Sequence, residues 1–211
     1  MIPTREEWQS ALQGRHGDEL QKSLSNATVA VCGLGGLGSN IAILLARAGI
    51  GKLILIDFDR VDISNLHRQQ YKANQIGMYK TEALKDNLFE ISPYTDTVIH
   101  TKKVTEENMG TLLACADIIC EAFDNAQAKA MLTNYVLDNF PAKYLIAASG
   151  MAGLSTANSI VTRKITNRFY LCGDGASDVS QTNGLVSSRV AICAAHQAHA
   201  VIRILANKFE V

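Results

Sequence analysis

The chain has few of the residues that stabilise secreted or zinc-binding proteins. Its 211 residues include five cysteines, an odd number, and no C-x-x-C pair. This pattern argues against a disulfide framework and against a four-cysteine zinc site, so we predict that the protein binds no zinc. Four of the cysteines lie in apolar contexts, and we expect them to be buried: Cys32, Cys115, Cys120 and Cys193.

Targeting and membrane segments are also missing. No apolar run reaches the roughly 18 residues of a membrane span, and the opening MIPTREEWQS has no apolar core of the signal-peptide type. Lys plus Arg and Asp plus Glu number 20 each, so the net charge gives no attraction to nucleic acid or to an anionic membrane. We expect a cytoplasmic protein with neither kind of partner.

The chain contains three prolines, no internal repeat and no low-complexity tract, so nothing indicates a linker. With 47% apolar and 19% charged residues its composition is that of a globular protein. We predict one domain over residues 1–211. It begins with a helical segment, 1–25, that is broken near Gly14 to Gly17.

Apolar runs and helical patterns alternate along the first 150 residues. This alternation predicts a Rossmann-like α/β fold in three layers, with helices on both faces of a parallel sheet. After Gly150 two strands in quick succession predict an antiparallel extension at the C-terminal edge of the sheet. The predicted strands are 27–33, 52–59, 96–104, 117–123, 143–150, 154–164 and 167–173; the later helices are 38–49, 81–91, 106–116, 125–140 and 185–209, and 175–184 is a loop.

A glycine-rich loop follows the first predicted strand. Gly33, Gly35 and Gly38 satisfy G-x-G-x-x-G, with Gly36 between them, and a helix follows. Such a loop brings backbone N–H groups and a helix N-terminus close to a phosphate. Asp57 ends the next strand, where a carboxylate can accept hydrogen bonds from ribose hydroxyls. NAD and ATP fit these features equally well.

The following polar stretch separates the two nucleotides. It places Asn65, Arg68 and Gln69 just past the ribose acid, and Lys80 follows. Two cations have no obvious task beside NAD, whereas they would hold a triphosphate and stabilise departing pyrophosphate. His67 lies in the same stretch, and we assign it no catalytic role.

Asp124 falls at the carboxyl end of the fourth predicted strand, where α/β sheets gather ligands. It could cap the following helix, or hold Mg²⁺ against phosphates, and the sequence leaves both roles open.

Together these residues resemble the ThiF/MoeB group, relatives of the ubiquitin-activating enzymes. The resemblance runs from about Arg15 to the C-terminus and rests on GLGGLGSN, LILIDFDRVDISNLHRQ, Lys80 and FDN. The closing segment is most similar to the short ThiF-type proteins.

The resemblance implies an adenylyltransferase that uses Mg-ATP to activate the C-terminal glycine carboxylate of a ThiS-like sulfur carrier, in thiamine biosynthesis. It implies that Arg68, Lys80 and Asp124 are catalytic, with Asp124 on Mg²⁺, and that Arg15 reaches the ATP site of the partner in a homodimer. The nucleotide would be bound by Gly33, Gly35, Gly36, Gly38, Asp57, Asp59, Asn65 and Gln69.

The longer relatives carry a cysteine for sulfur transfer in a late loop, and Cys172 is the nearest candidate here, although a buried structural cysteine is favoured. Cys193, His196 and His199 have helical spacing that could bind a metal, but ordinary packed positions are favoured.

Other functions stay open: an adenylating enzyme for a molybdopterin-type carrier, a tRNA-base dehydratase, an NAD-dependent oxidoreductase, or a nucleotide-binding regulator.

Overall fold

A computed structural model describes residues 2–182 and 184–211, so part of the predicted loop 175–184 lies outside it. A seven-stranded sheet forms the middle layer. Its strands are β1 Thr28–Cys32, β2 Lys52–Ile56, β3 Asp96–His100, β4 Ile118–Glu121, β5 Tyr144–Ala148, β6 Val161–Lys164 and β7 Phe169–Gly173.

The strand order across the sheet is β3-β2-β1-β4-β5-β7-β6. All neighbours are parallel except β6 and β7, which pair antiparallel at one edge. This confirms the predicted parallel sheet with an antiparallel extension. The chain order reverses between β1 and β4, and the carboxyl ends of these two strands therefore flank the crevice where such sheets bind ligands.

Helices cover both faces of the sheet, as predicted. On one face α2, α3, α4 and α7 contribute Leu24, Leu45, Leu84 and Val201 to one core, and on the other α5 and α6 form a second core. None of the described helices is long and apolar enough to cross a membrane. The helices are α1 Arg5–His16, α2 Asp18–Asn26, α3 Gly36–Ala48, α4 Lys80–Ile91, α5 Glu106–Leu113, α6 Ala126–Asn139 and α7 Ser187–Leu205.

Some predicted boundaries were wrong. The strand predicted over 154–164 is only Val161–Lys164, because Arg189 of α7 draws the preceding loop away by donating to the carbonyl oxygens of Ala152, Ser155 and Thr156. Residues thus engaged cannot pair with a neighbouring strand. The strand predicted over 96–104 ends at His100. Cys115 is exposed rather than buried, because α5 ends at Leu113 and Cys115 lies in the turn that follows.

Arg189 of α7 forms an ion pair with Asp174 in the loop after β7, and the same guanidinium binds the loop after β5. Arg189 Nη2 lies 2.5 Å from Asp174 Oδ2, while Asp174 Oδ1 accepts from the backbone N–H groups of Ala176 and Ser177. Burial by itself raises the pKa of Asp174, but the hydrogen bonds from Ser177, Ala176 and Arg189 outweigh it and lower the pKa to about 2.

This lowered pKa predicts an acid-sensitive contribution to stability. Because the pKa of folded Asp174 lies below its ordinary 3.8, the stabilisation is present above about pH 4 and is lost as the pH falls toward 2. Urea unfolding between pH 5 and pH 2 should show the native protein losing about 2 kcal/mol relative to Asp174→Asn, which cannot titrate. Parallel pH curves for the two proteins would contradict the prediction.

Candidate functional site

Two glycines of the loop between β1 and α3 are required by close backbone packing. Gly33 has φ +89°, and a Cβ there would lie 2.8 Å from the carbonyl oxygen of Ala122 at the end of β4. A Cβ on Gly38 would lie 1.8 Å from the carbonyl oxygen of Gly33. The glycine loop is therefore pressed against both its own helix and the loop after β4.

Gly35 is different, because the space beside it is open. It is the N-cap of α3 and offers no side-chain cap to the first-turn N–H groups. A Cβ on Gly35 would meet only Gln69 Nε2, at 3.8 Å. This open space in front of a helix N-terminus, which we call the cradle, suits an anion.

Gly35→Ala should therefore fold normally and lose nucleotide affinity, because its methyl group would fill the cradle without striking the protein. We expect the dissociation constant for ATP to rise about tenfold, a cost of about 1.4 kcal/mol. Calorimetric titration measures the affinity, and a thermal melt checks the fold. Unchanged affinity would mean that phosphates do not occupy the cradle.

Asp57, which follows β2, supports the glycine loop directly. Its Oδ2 accepts from the N–H of Leu34 at 2.6 Å, and its Oδ1 accepts from that of Asp59 at 2.8 Å. Burial raises the pKa of Asp57, and the positive charge of Lys80 offsets part of that rise. Each carboxylate oxygen keeps a further lone pair with which it could accept from a ribose hydroxyl.

The segment that carries Arg68 is held against α3 by side chains that the sequence analysis did not identify. Ser39 Oγ accepts from the N–H of Gln70, and Asn40 Nδ2 donates to the carbonyl oxygen of Arg68. Tyr71 Oη donates to the carbonyl oxygen of Leu34 in the glycine loop, at 2.7 Å. In the sequence, Ser39 and Asn40 could be noticed only because they end the motif GLGGLGSN. Nothing in the sequence indicated that Tyr71 would contact the glycine loop.

Arg68 is half-buried, and its stem lies beside the first residue of α3. Its Cγ is 3.5 Å from where a Cβ on Gly36 would be, and its Nη1 donates to the carbonyl oxygen of Ser64. Its Nε and the Oε1 of Gln69 are buried and have no hydrogen-bond partner among the described residues. Buried polar atoms without partners are uncommon, and these two lie on the glycine-loop side, where a polar ligand could satisfy them.

Lys80, the first residue of α4, also points inward. It is buried, and its Nζ lies 2.8 Å from Asp59 Oδ2. Lys80 therefore lies on the side of the cradle next to Asp57 and Asp59, whereas Arg68 lies on the glycine side.

Asn65 and His67 make local contacts. The side-chain oxygen of Asn65 accepts from the N–H of Asp62, and the exposed His67 ring contacts the carbonyl oxygen of Leu185.

Asp124 follows β4 at the same edge of the sheet and is exposed. It does not cap α6, because the helix begins one residue later than that role requires: Asn125 is the N-cap and accepts from the N–H groups of Gln127 and Ala128. Of the two roles that the sequence left open for Asp124, the structure therefore excludes the helix cap. Within residues 2–182 and 184–211 no three His, Cys, Asp or Glu side chains form a metal-binding group. A single carboxylate still fits Mg²⁺ bound mainly by phosphate oxygens.

Arg15 lies far from this cradle in its own chain. It is exposed in the last turn of α1, and α1 packs near the loops that precede β2 and β3: Leu12 lies beside Gly49, and Tyr94 Oη donates to the carbonyl oxygen of Pro3. These loops lie at the amino ends of the strands, opposite the glycine loop. A role of Arg15 at a nucleotide therefore requires a second chain.

Cys172 is buried within β7, and burial raises its pKa to about 11, so at neutral pH it is an uncharged thiol. Its role in sulfur transfer stays a prediction.

His196 and His199 line a cavity of about 510 Å³ between β6, β7 and α7, and His196 Nδ1 is 2.9 Å from Thr162 Oγ1. Burial, with a contribution from His199, lowers the pKa of His196. This cavity does not include the cradle.

The chain is similar to known proteins in sequence and in fold. The chain is 37% identical over 123 residues to adenylyltransferase and sulfurtransferase MOCS3 of Caenorhabditis briggsae, a match that covers 57% of this chain and 31% of that protein. It is 28% identical over 195 residues to molybdopterin-synthase adenylyltransferase of Salmonella typhimurium, covering 90% and 77%. The chain thus spans about a third of the length of the MOCS3 relative.

The fold is also similar to that of Escherichia coli tRNA N6-threonylcarbamoyladenosine dehydratase, TcdA, solved in complex with AMP. The TM-score is 0.86 at 20% identity, and the match covers 99% of each chain. The model of the ThiF family matches residues 9–211. The chain therefore belongs to the ThiF family.

Proposed function

We propose that this protein is an ATP-dependent adenylyltransferase that activates the C-terminal glycine carboxylate of a small ubiquitin-like sulfur carrier. Two relatives carry adenylyltransferase in their names, and TcdA, which shares the fold, has been solved with ATP as well as with AMP. We further propose that the carrier is of the ThiS type, in cytoplasmic thiamine biosynthesis.

The observation that carries the proposal is Arg68 Nε, a buried donor beside the cradle with no partner among the described residues, together with the Lys80 ammonium on the side next to Asp57. A triphosphate needs such positive charge, whereas the pyrophosphate of NAD is already served by the helix N-terminus. The two inward-facing cations therefore favour ATP over NAD.

The chemistry is the formation of one P–O bond and the loss of another. A carboxylate oxygen of the carrier attacks the α-phosphorus of ATP, an acyl-adenylate forms, and pyrophosphate leaves with the electron pair. Arg68 and Lys80 stabilise the charge that builds on the phosphate oxygens. The carboxylate is already ionised, so the reaction needs orientation and charge neutralisation rather than a general base.

The remaining site residues take roles around that reaction. Asp57 accepts from the ribose hydroxyls, with Asp59, Asn65 and Gln69 beside the nucleotide. Asp124 holds Mg²⁺, which would neutralise phosphate charge. The two chains form a homodimer in which Arg15 of one reaches the nucleotide of the other, since Arg15 lies at the opposite edge of the sheet from its own glycine loop.

Exchange of labelled pyrophosphate into ATP tests the proposal. With Mg²⁺ and a ThiS-type carrier ending in Gly-Gly we expect exchange that depends on the carrier. The control is the same carrier without its last glycine. Its C-terminal carboxylate lies one residue earlier and should not reach the α-phosphorus. Faster exchange with a molybdopterin-type carrier would change the carrier assignment, and no exchange with any Gly-Gly carrier would overturn the proposed function.

A further inference from the structure

An ion pair between the buried Glu121 and the half-buried Lys129 lies beneath the turn that carries Asp124. Glu121 ends β4 and is only 1% exposed. Lys129 of α6 places its Nζ 3.1 and 3.0 Å from the two carboxylate oxygens of Glu121. The same ammonium donates to the carbonyl oxygen of Ala148, the last residue of β5, at 3.0 Å. The ends of β4 and β5 and the first turns of α6 are therefore joined at one point.

The carboxylate of Glu121 also holds the turn itself. Its Oε1 accepts from the N–H of Phe123 at 2.7 Å, and Phe123 directly precedes Asp124. The turn in addition touches the glycine loop, because a Cβ on Gly33 would lie 2.8 Å from the carbonyl oxygen of Ala122 and 3.0 Å from Phe123 Cδ1. A displacement of the turn would therefore move Asp124 and disturb the glycine loop together.

A fourth element joins the same point. Gln197 of α7 is fully buried, and its Nε2 donates to the carbonyl oxygens of Glu121 and Ile146, at 3.0 and 3.1 Å. Taking a carboxylate and an ammonium out of water costs several kcal/mol, and apolar residues of the same volume are often as stabilising. Stability alone therefore does not account for charges at this place, whereas the hydrogen bond that the Glu121 carboxylate accepts from Phe123 gives the pair a part in holding the turn.

We propose that Glu121 and Lys129 are positioning residues that fix the turn 122–124, so that Asp124 faces the cradle. Neither residue contacts substrate in this assignment. The role of Asp124 toward metal and nucleotide rests on the proposed function. The fixing of the turn by Glu121 and Lys129 does not depend on that function.

Hydrogen exchange of the protein without nucleotide tests the fixing of the turn. Glu121→Gln removes the charge that attracts Lys129, and the double variant Glu121→Gln/Lys129→Met leaves no charge buried, so that it folds even if the single variant does not. In both we expect the hydrogen-bonded amides of Ala122 and Phe123 to exchange about tenfold faster, the equivalent of one hydrogen bond. Lys52→Met is the matched control, since it breaks a 3.0 Å pair with Asp96 at the other edge of the sheet.

Magnesium titration of pyrophosphate exchange gives the second measurement. Glu121→Gln should raise the apparent KM for Mg²⁺ about tenfold and change kcat much less, a split of about 1.4 kcal/mol. Lys129→Arg, which keeps the charge and the donors beside native Glu121, should leave the KM for Mg²⁺ at its native value. Unchanged exchange at the amides of Ala122 and Phe123 in both Glu121 variants would overturn the inference, as would an equal shift of KM in Lys52→Met. A native protein without pyrophosphate exchange would overturn the proposed function instead, and the amide measurement would still decide the role of the pair.

Discussion

Arg68→Met should lower the rate of carrier-dependent pyrophosphate exchange by about 10²- to 10³-fold, the usual cost of removing one preorganised donor from a developing charge. The methionine keeps the stem that packs beside Gly36 but loses the guanidinium and its unpartnered Nε. Because the guanidinium makes only local hydrogen bonds within the described part of the chain, to Ser64 and His67, the melting temperature should stay close to that of the native protein.

Arg60→Met is the matched control for this experiment. Arg60 lies eight positions earlier in the same irregular stretch, where its guanidinium stacks on Tyr79 and donates to the carbonyl oxygen of Gly77. It has no contact with the glycine loop in the described hydrogen bonds, so its loss should leave exchange within about twofold of native. Equal rates for Arg68→Met and the native protein would remove Arg68 from the reaction.

Gly38→Ala should destabilise the whole fold by at least about 3 kcal/mol. Its Cβ would lie 1.8 Å from the carbonyl oxygen of Gly33 and 3.1 Å from Val31 Cγ1, so β1 and α3 would have to move apart. The loss should appear in the free energy of unfolding in urea, whether or not nucleotide is present.

Gly14→Ala provides the comparison. Gly14 lies inside α1, and a Cβ there meets no atom within 4 Å. This substitution should stabilise the protein by about 0.5–1 kcal/mol, because alanine loses less backbone entropy in a helix. If Gly38→Ala melted like Gly14→Ala, the close packing of α3 on the glycine loop would be wrong.

The sequence was sufficient to predict the sheet and its helices because local patterns encode them. Val29 and Val31 face one core while Ala30 and Cys32 face the other, and such strands, buried on both faces, appear as continuous apolar runs. The antiparallel edge was also predictable, because β6 and β7 are separated by too few residues for a crossover.

The features that could not be predicted from the sequence depend on contacts between residues far apart in the chain. Arg189 determines where β6 begins by binding a loop more than 30 positions earlier. Tyr71 reaches back 37 positions to Leu34. No spacing rule connects such pairs, so the sequence could indicate which residues are polar near the site but not which of them hold the site in place.

The same limit applies to the charged residues of the site. The inward direction of Lys80 depends on Asp59, and the helix cap, one of two roles that the sequence left open for Asp124, belongs to Asn125, one position away. Glu121 appeared as part of an apolar strand, DIICEAF, and its partner Lys129 as an ordinary helix position, because the ion pair exists only once β4, β5 and α6 are packed together.

The central claim is that Arg68 and Lys80 converge on a triphosphate in front of the glycine loop. A crystal structure of the protein with a non-hydrolysable ATP analogue tests it most directly. We expect phosphate oxygens in the cradle at Gly35, within about 3.2 Å of Arg68 Nε and of Lys80 Nζ. An analogue bound with its phosphates out of reach of both side chains would contradict it.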